Sequence, residues 1–154
     1  MNRSHRLRCV IAGLVITLTG CSSAGDRGLR AIVVEGAPKA VGPYAQGIVA
    51  NGVLYTAGQT ARDPATGNLV GGDIAVQTTR VLNNLEAILK GAGCTFQDVI
   101  KVTVFMTDLA DFAKLNEVFG IRFGSHRPAR STVQVSKLPG GAQLEIDLVA
   151  RVPH

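Results

Sequence analysis

Apolar and polar positions alternate in short runs along most of the chain, and two longer stretches change to a helical period. Residues 31–34 read as a first strand, broken by Gly36, Ala37 and Pro38. Runs at 45–50 and 53–57 flank Asn51 and Gly52, a pair that tolerates positive φ at both turn positions and so predicts a two-residue hairpin. A turn-rich loop follows at 63–68. Asp73 is placed to cap a helix whose Ile74, Val81, Leu82, Leu85, Ile88 and Leu89 share one face, and Gly91 to Gly93 end it. Residues 99–107 alternate as a strand, with Ile100, Val102, Val104 and Met106 on one face and Lys101, Thr103 and Phe105 on the other. Asp108 and Asp111 are expected to open a second helix with a buried stripe of Phe112, Leu115 and Phe119. Two closing strands, 131–136 and 143–151, are separated by Pro139, Gly140 and Gly141, a turn expected to lay the last strand alongside the one before it. This order predicts an α+β domain in which two helices cover one face of a single sheet. In the last strand Leu144, Ile146 and Leu148 face the helices, while Gln143, Glu145 and Asp147 face water or another subunit.

The start of the chain breaks that pattern. Arg3, Arg6 and Arg8 precede an apolar run at 9–18, which closes with Leu18, Thr19, Gly20 and Cys21. The run falls far short of the roughly 20 apolar residues that span a bilayer, so residues 1–20 are expected to be an export signal. Its end resembles a bacterial lipobox, which makes Cys21 the expected lipidation site and the outer membrane, on its periplasmic side, the expected location. Residues 21–30 then form a polar tether and 31–154 the domain. The formal charge is +5, but three of the sixteen basic residues lie in the leader, leaving thirteen against eleven acidic ones. These are dispersed, without the basic and aromatic interleaving that tracks a phosphate backbone, so no nucleic acid is expected as a partner. Of three cysteines, Cys9 leaves with the leader and Cys21 carries lipid. Cys94 remains, expected as a small buried hydrophobe.

The candidate chemistry lies near the end of the chain. Arg130, two residues past Pro128, is expected where a loop enters a strand, with its guanidinium free to grip a carboxylate. Glu145 projects from the next strand and can handle a proton or a water. There is no P-loop, nucleophile elbow or paired histidine at ligand spacing, and His126 has no partner in sequence, so no metal site is expected.

Several blocks in order resemble one family: Gly42-Pro43-Tyr44-Ala45-Gln46-Gly47, Thr56-Ala57-Gly58-Gln59, Asp63-Pro64-Ala65-Thr66-Gly67, Lys101-Val102-Thr103-Val104-Phe105, Asp108-Leu109-Ala110-Asp111-Phe112, Pro128-Ala129-Arg130-Ser131 and Leu144-Glu145-Ile146. Together they resemble the Rid (reactive intermediate deaminase) family, also called YjgF and often labelled endoribonuclease L-PSP. The resemblance implies a chorismate-mutase-like α+β fold with a single mixed sheet, assembled as a homotrimer whose sheets form a central barrel, with a site in each cleft between subunits. It implies hydrolysis of enamines and imines such as 2-aminoacrylate to 2-keto acids and ammonia, without a cofactor. It assigns Arg130 to the substrate carboxylate and Glu145 to the water, with Tyr44, Gly58, Asn116 and Thr132 lining the cleft.

The chain departs from that family pattern at three places. Ala57 stands where deaminase members have Ser, Thr132 where they have Cys, and the connection from Asn116 to Arg130 is shorter. A non-catalytic module binding small carboxylates or proteins is the alternative function, and RNA cleavage is a third, disfavoured by the modest charge outside the leader.

Overall fold

Strand β5 (Val99–Met106) is the spine of the fold, because it is the strand that both closing strands adopt as a neighbour. A computed structural model describes residues 28–153; the expected leader, the Cys21 lipidation site and the tether up to residue 27 lie outside the described residues. Four strands precede β5: β1 (Leu29–Ile32), β2 (Gly47–Ala50), β3 (Val53–Thr56) and the two-residue β4 (Gln59–Thr60). Helix α1 (Ile74–Gly91) lies between β4 and β5, and α2 (Phe112–Phe123), β6 (Ala129–Gln134) and β7 (Leu144–Arg151) follow. The strands form one mixed sheet in the order β1-β2-β3-β7-β5-β6, with β4 also on β7. Only β5 and β6 run parallel, joined by the α2 crossover that a parallel pair requires.

The hairpin forms as predicted, with Asn51 at φ 50° and Gly52 at φ 75°. Helix α1 begins where predicted: the Asp73 carboxylate accepts from the backbone N–H groups of Ala75 and Val76, both at 3.1 Å. It ends through Gly93 at φ 80°, with the Cys94 N–H donating to the Leu89 carbonyl at 2.8 Å and the Gly93 N–H to that of Lys90 at 3.0 Å. This pairing satisfies the last helical carbonyls and folds Cys94 into the core, where its thiol is buried and its pKa raised by desolvation. The helices cover one sheet face. There Leu54, Val102, Val104, Leu144, Ile146 and Leu148 meet Val81, Leu85 and Leu89 of α1 and Leu115 and Phe119 of α2 in one cluster. Each such aliphatic side chain contributes about 1.5–3 kcal/mol relative to exposure, which suits a core with few aromatics.

Four expectations are corrected. The first strand starts at Leu29 and ends at Ile32, so Leu29 and Arg30 belong to the sheet rather than to the tether. In β5 Ile100 is 52% exposed while Val99 is buried, because the register against β7 shifts between Val99 and Lys101; the extra residue reverses the alternation there. Helix α2 starts later than expected. Asp108 caps a short 3-10 turn (Leu109–Asp111), the helix proper begins at Phe112, and its buried stripe is Leu115, Phe119 and Phe123. Phe112 is exposed. Finally, β6 and β7 do not form a hairpin, since β5 lies between them and takes one on each edge. With Val99, Val102, Val104 and Met106 all fully buried, β5 is the most apolar of the three and is driven to the middle.

Candidate active site

The registers on β5 decide where the two candidate side chains go. Arg130 is paired with Val102, which faces the helices, and Glu145 with Phe105, which faces the other way. The two therefore leave the sheet on opposite faces and enter different clefts. Pro128 precedes β6, and Arg130 stands at the loop-to-strand junction predicted for it.

On the helix side, Arg130 donates to the Asn116 side-chain oxygen at 2.7 Å, and its guanidinium carbon lies 4.7 Å from the Phe119 ring centroid and 5.5 Å from that of Phe112. Two rings and an amide thus fix the plane of the fork. Among the described residues no carboxylate lies within ion-pair distance of it, so its remaining N–H groups can take one from outside. Partial burial makes it a slightly weaker base, yet a guanidinium stays charged at any physiological pH. Arg130 and Asn116 line a cleft of about 470 Å³. Thr132 is on the same face, two residues along β6; its hydroxyl is buried without a partner in the protomer. His126 is fixed structurally, with a ring nitrogen 2.6 Å from the Val99 carbonyl oxygen.

On the other side, Glu145, Tyr44 and Gly58 line one cleft of about 400 Å³, together with Ala57. Glu145 lies against Gly58: a Cβ there would sit 2.7 Å from its carboxyl carbon and 2.9 Å from its Cγ. Glycine is what lets the carboxylate pass. Burial first, and then the like charge of Asp147, raise the Glu145 pKa above the ordinary value of 4.5. Asp147 is itself raised by burial, against a hydrogen bond with Thr103 and the attraction of Lys101. Tyr44 stands half exposed at the rim, its hydroxyl accepting from the Val41 N–H at 3.3 Å.

Sequence reasoning missed the residue that shapes this cleft. The buried Gln46 amide accepts from the Val34 N–H at 2.7 Å and donates to the carbonyls of Val34, Ala37 and Pro38 at 3.0, 3.1 and 2.8 Å. It thereby pins the loop that forms one wall. Gln46 lies in a block quoted above, but a glutamine's partners are invisible until the loop closes on it. Also missed were Lys39 and Arg62, which line the same cleft.

The profile of the family described as Endoribonuclease L-PSP matches residues 34–152, nearly the whole described chain. A RutC family protein of Pyrococcus horikoshii is 51% identical over 119 residues, covering 77% of this chain and 94% of its own. The chain belongs to the Rid family. Among other Rid relatives, the human 2-iminobutanoate/2-iminopropanoate deaminase is 42% identical over 121 residues, covering 79% of this chain and 88% of its own. The solved Rid protein YyfA of Yersinia pestis superposes with a TM-score of 0.79 at 44% identity, covering 80% of this chain and 99% of that one. The Rid fold, a mixed sheet with two helices, is thus shared, and the two clefts described above are features of a Rid protomer.

Proposed function

We propose that this Rid protein hydrolyses small imines and enamines, 2-aminoacrylate and related imino acids, to 2-keto acids and ammonia. Its site is completed where the Arg130 cleft of one copy meets the Glu145 cleft of another. The observation that carries this reading is the separation of the two groups. One cleft holds the Arg130 guanidinium with spare donors and no carboxylate; the other holds the Glu145 carboxylate, of raised pKa, on the opposite face of the sheet. A contact between two different faces is heterologous, which gives a ring where its rotation closes, and a homotrimer is the ring we propose. The deaminase name of the human relative supports the same chemistry.

In the composite site Arg130 fixes the substrate carboxylate and so the plane of the C=N bond. Glu145 accepts a proton from water as the water oxygen bonds to the imine carbon, and passes it to nitrogen as the C=N π pair moves there. The resulting carbinolamine collapses: its hydroxyl gives its proton to Glu145 as C=O forms, Glu145 passes that proton to nitrogen, and the C–N bond breaks to release ammonia. An enamine enters the same path after taking a proton at carbon. The balance is one imine and one water to one ketone and one ammonia, with no external oxidant or reductant.

The test offers the full-length protein imines generated in situ by an amino-acid oxidase, alongside Arg130→Ala. Accelerated release of ammonia is expected from the first and not from the second. Undiminished activity in the variant would sink the assignment. For location, we propose that Cys21 is acylated and anchors the domain outside the cytoplasm at a bacterial membrane. The order of charged, apolar and small residues over 1–21 supports this, and incorporation of labelled fatty acid that is absent from Cys21→Ser is the check.

A further inference from the structure

We propose that Arg62, assisted by Lys39, selects substrates that carry a second acid group, so that the preferred imines are short imino dicarboxylates. This rests on the deaminase reading above and names the substrate class of that same site.

Arg62 reaches the Glu145 cleft by strand alternation. Thr60 pairs with Glu145, and Arg62, two residues on, returns to the same face while Gln59 and Ala61 are buried on the other. Its backbone is held on both sides. The Asn84 amide, on a fully buried position of α1, donates to the carbonyls of Thr60 at 3.2 Å and Arg62 at 2.9 Å, and Arg62 bridges to Leu69 across the loop. The guanidinium is positioned as well. One terminal nitrogen donates to the Gly67 carbonyl at 2.7 Å, and the other lies 2.5 Å from where a Cβ of residue 140 would be, a space that only glycine leaves open. An arginine fixed in this way has already lost much of the rotamer freedom it would otherwise lose on binding an anion.

The neighbouring Asp63 pairs with Arg80 at 3.7 Å, and among the described residues no carboxylate lies within ion-pair distance of Arg62 or Lys39. Lys39 is exposed at the rim of the same cleft. The composite site therefore sets Lys39 and Arg62 from one cleft, and Arg127 and Arg130 from the other, against the single carboxylate of Glu145. A monocarboxylate needs only Arg130. The surplus that Lys39 and Arg62 bring from the Glu145 cleft is matched by a substrate whose side chain ends in a second carboxylate.

The experiment compares kcat/KM for imines generated from glutamate and from 2-aminobutanoate, followed as the fall in semicarbazide-trapped imine. The wild-type protein is expected to favour the dicarboxylate, and Arg62→Met to lower the dicarboxylate-to-monocarboxylate ratio at least fivefold, with Arg62→Lys restoring part of it. A wild-type preference for the monocarboxylate overturns the proposal, as does a smaller fall in a variant that retains the wild-type circular dichroism. If Arg62→Met does not fold, Lys39→Gln, at an exposed position, is read by the same ratio: a fall of twofold or more upholds the proposal and a lesser one overturns it. Should neither imine be turned over, the deaminase reading has failed separately. Calorimetric titration with glutarate and butyrate then decides the selectivity alone, with preferential, Arg62-dependent binding of glutarate upholding it and equal binding overturning it.

Discussion

Arg130 and Glu145 flank the same strand three positions apart, one opposite Val102 and the other opposite Phe105. An odd offset on a pleated strand sends side chains to opposite faces, and the two intervening strand spacings add roughly 10 Å of lateral separation. No side-chain rotation brings them together within a protomer. A reaction needing both must draw them from different copies.

That separation makes the assembly testable by mixing. In the proposed homotrimer, Arg130→Ala and Glu145→Gln are each expected to be inactive by themselves. After unfolding and refolding together in equal amounts, every mixed ring contains one interface with both groups intact, restoring about a quarter of the wild-type activity on random assembly. Recovery no greater than the sum of the two parents would show that the two groups do not meet in a site between copies.

The raised pKa of Glu145 sets a pH dependence. Because water activation requires the carboxylate, the acid limb of kcat/KM is expected above the ordinary value of 4.5, and Asp147→Asn, by removing the like charge, is expected to shift that limb downward. Stability carries the opposite sign. A carboxyl with a raised folded pKa binds its proton more tightly folded than unfolded, so its contribution is complete below about 4.5 and is lost as pH rises through the folded value. Denaturant midpoints measured across that window should lose this slope in Glu145→Gln.

Gly58→Ala tests position without touching charge. The added methyl would lie 2.7 Å from the Glu145 carboxyl carbon and must displace that side chain, while the Gly58 φ is not in the left-handed region. Steady-state kinetics are expected to show kcat falling by an order of magnitude or more, since sub-ångström placement of the base controls the rate. Thermal unfolding is expected to change little. Unaltered kcat would show that Glu145 is not held where water is activated.

Local signals in the sequence carried far. The Asn51-Gly52 hairpin, the Asp73 cap, the apolar face of α1, the burial of Cys94 and the polar row of Glu145 and Asp147 depend on neighbours a few residues away, and the chain displays them directly. Arg130 at the mouth of β6 and Glu145 on the open face of β7 were likewise legible from Pro128 and from alternation. Other features were settled only in three dimensions. The central place of β5 came from competition among strands to bury apolar surface, and the reversal at Ile100 from a bulge against a strand that begins more than forty residues later. Gln46, Asn84 and Arg62 acquire their roles from backbone groups brought up by loop closure, which leaves no periodicity to read. The face each catalytic candidate occupies followed from register, and a shift of one residue in a ladder would reverse it. Composition and spacing chose the elements of this protein, while long-range pairing chose which groups could meet.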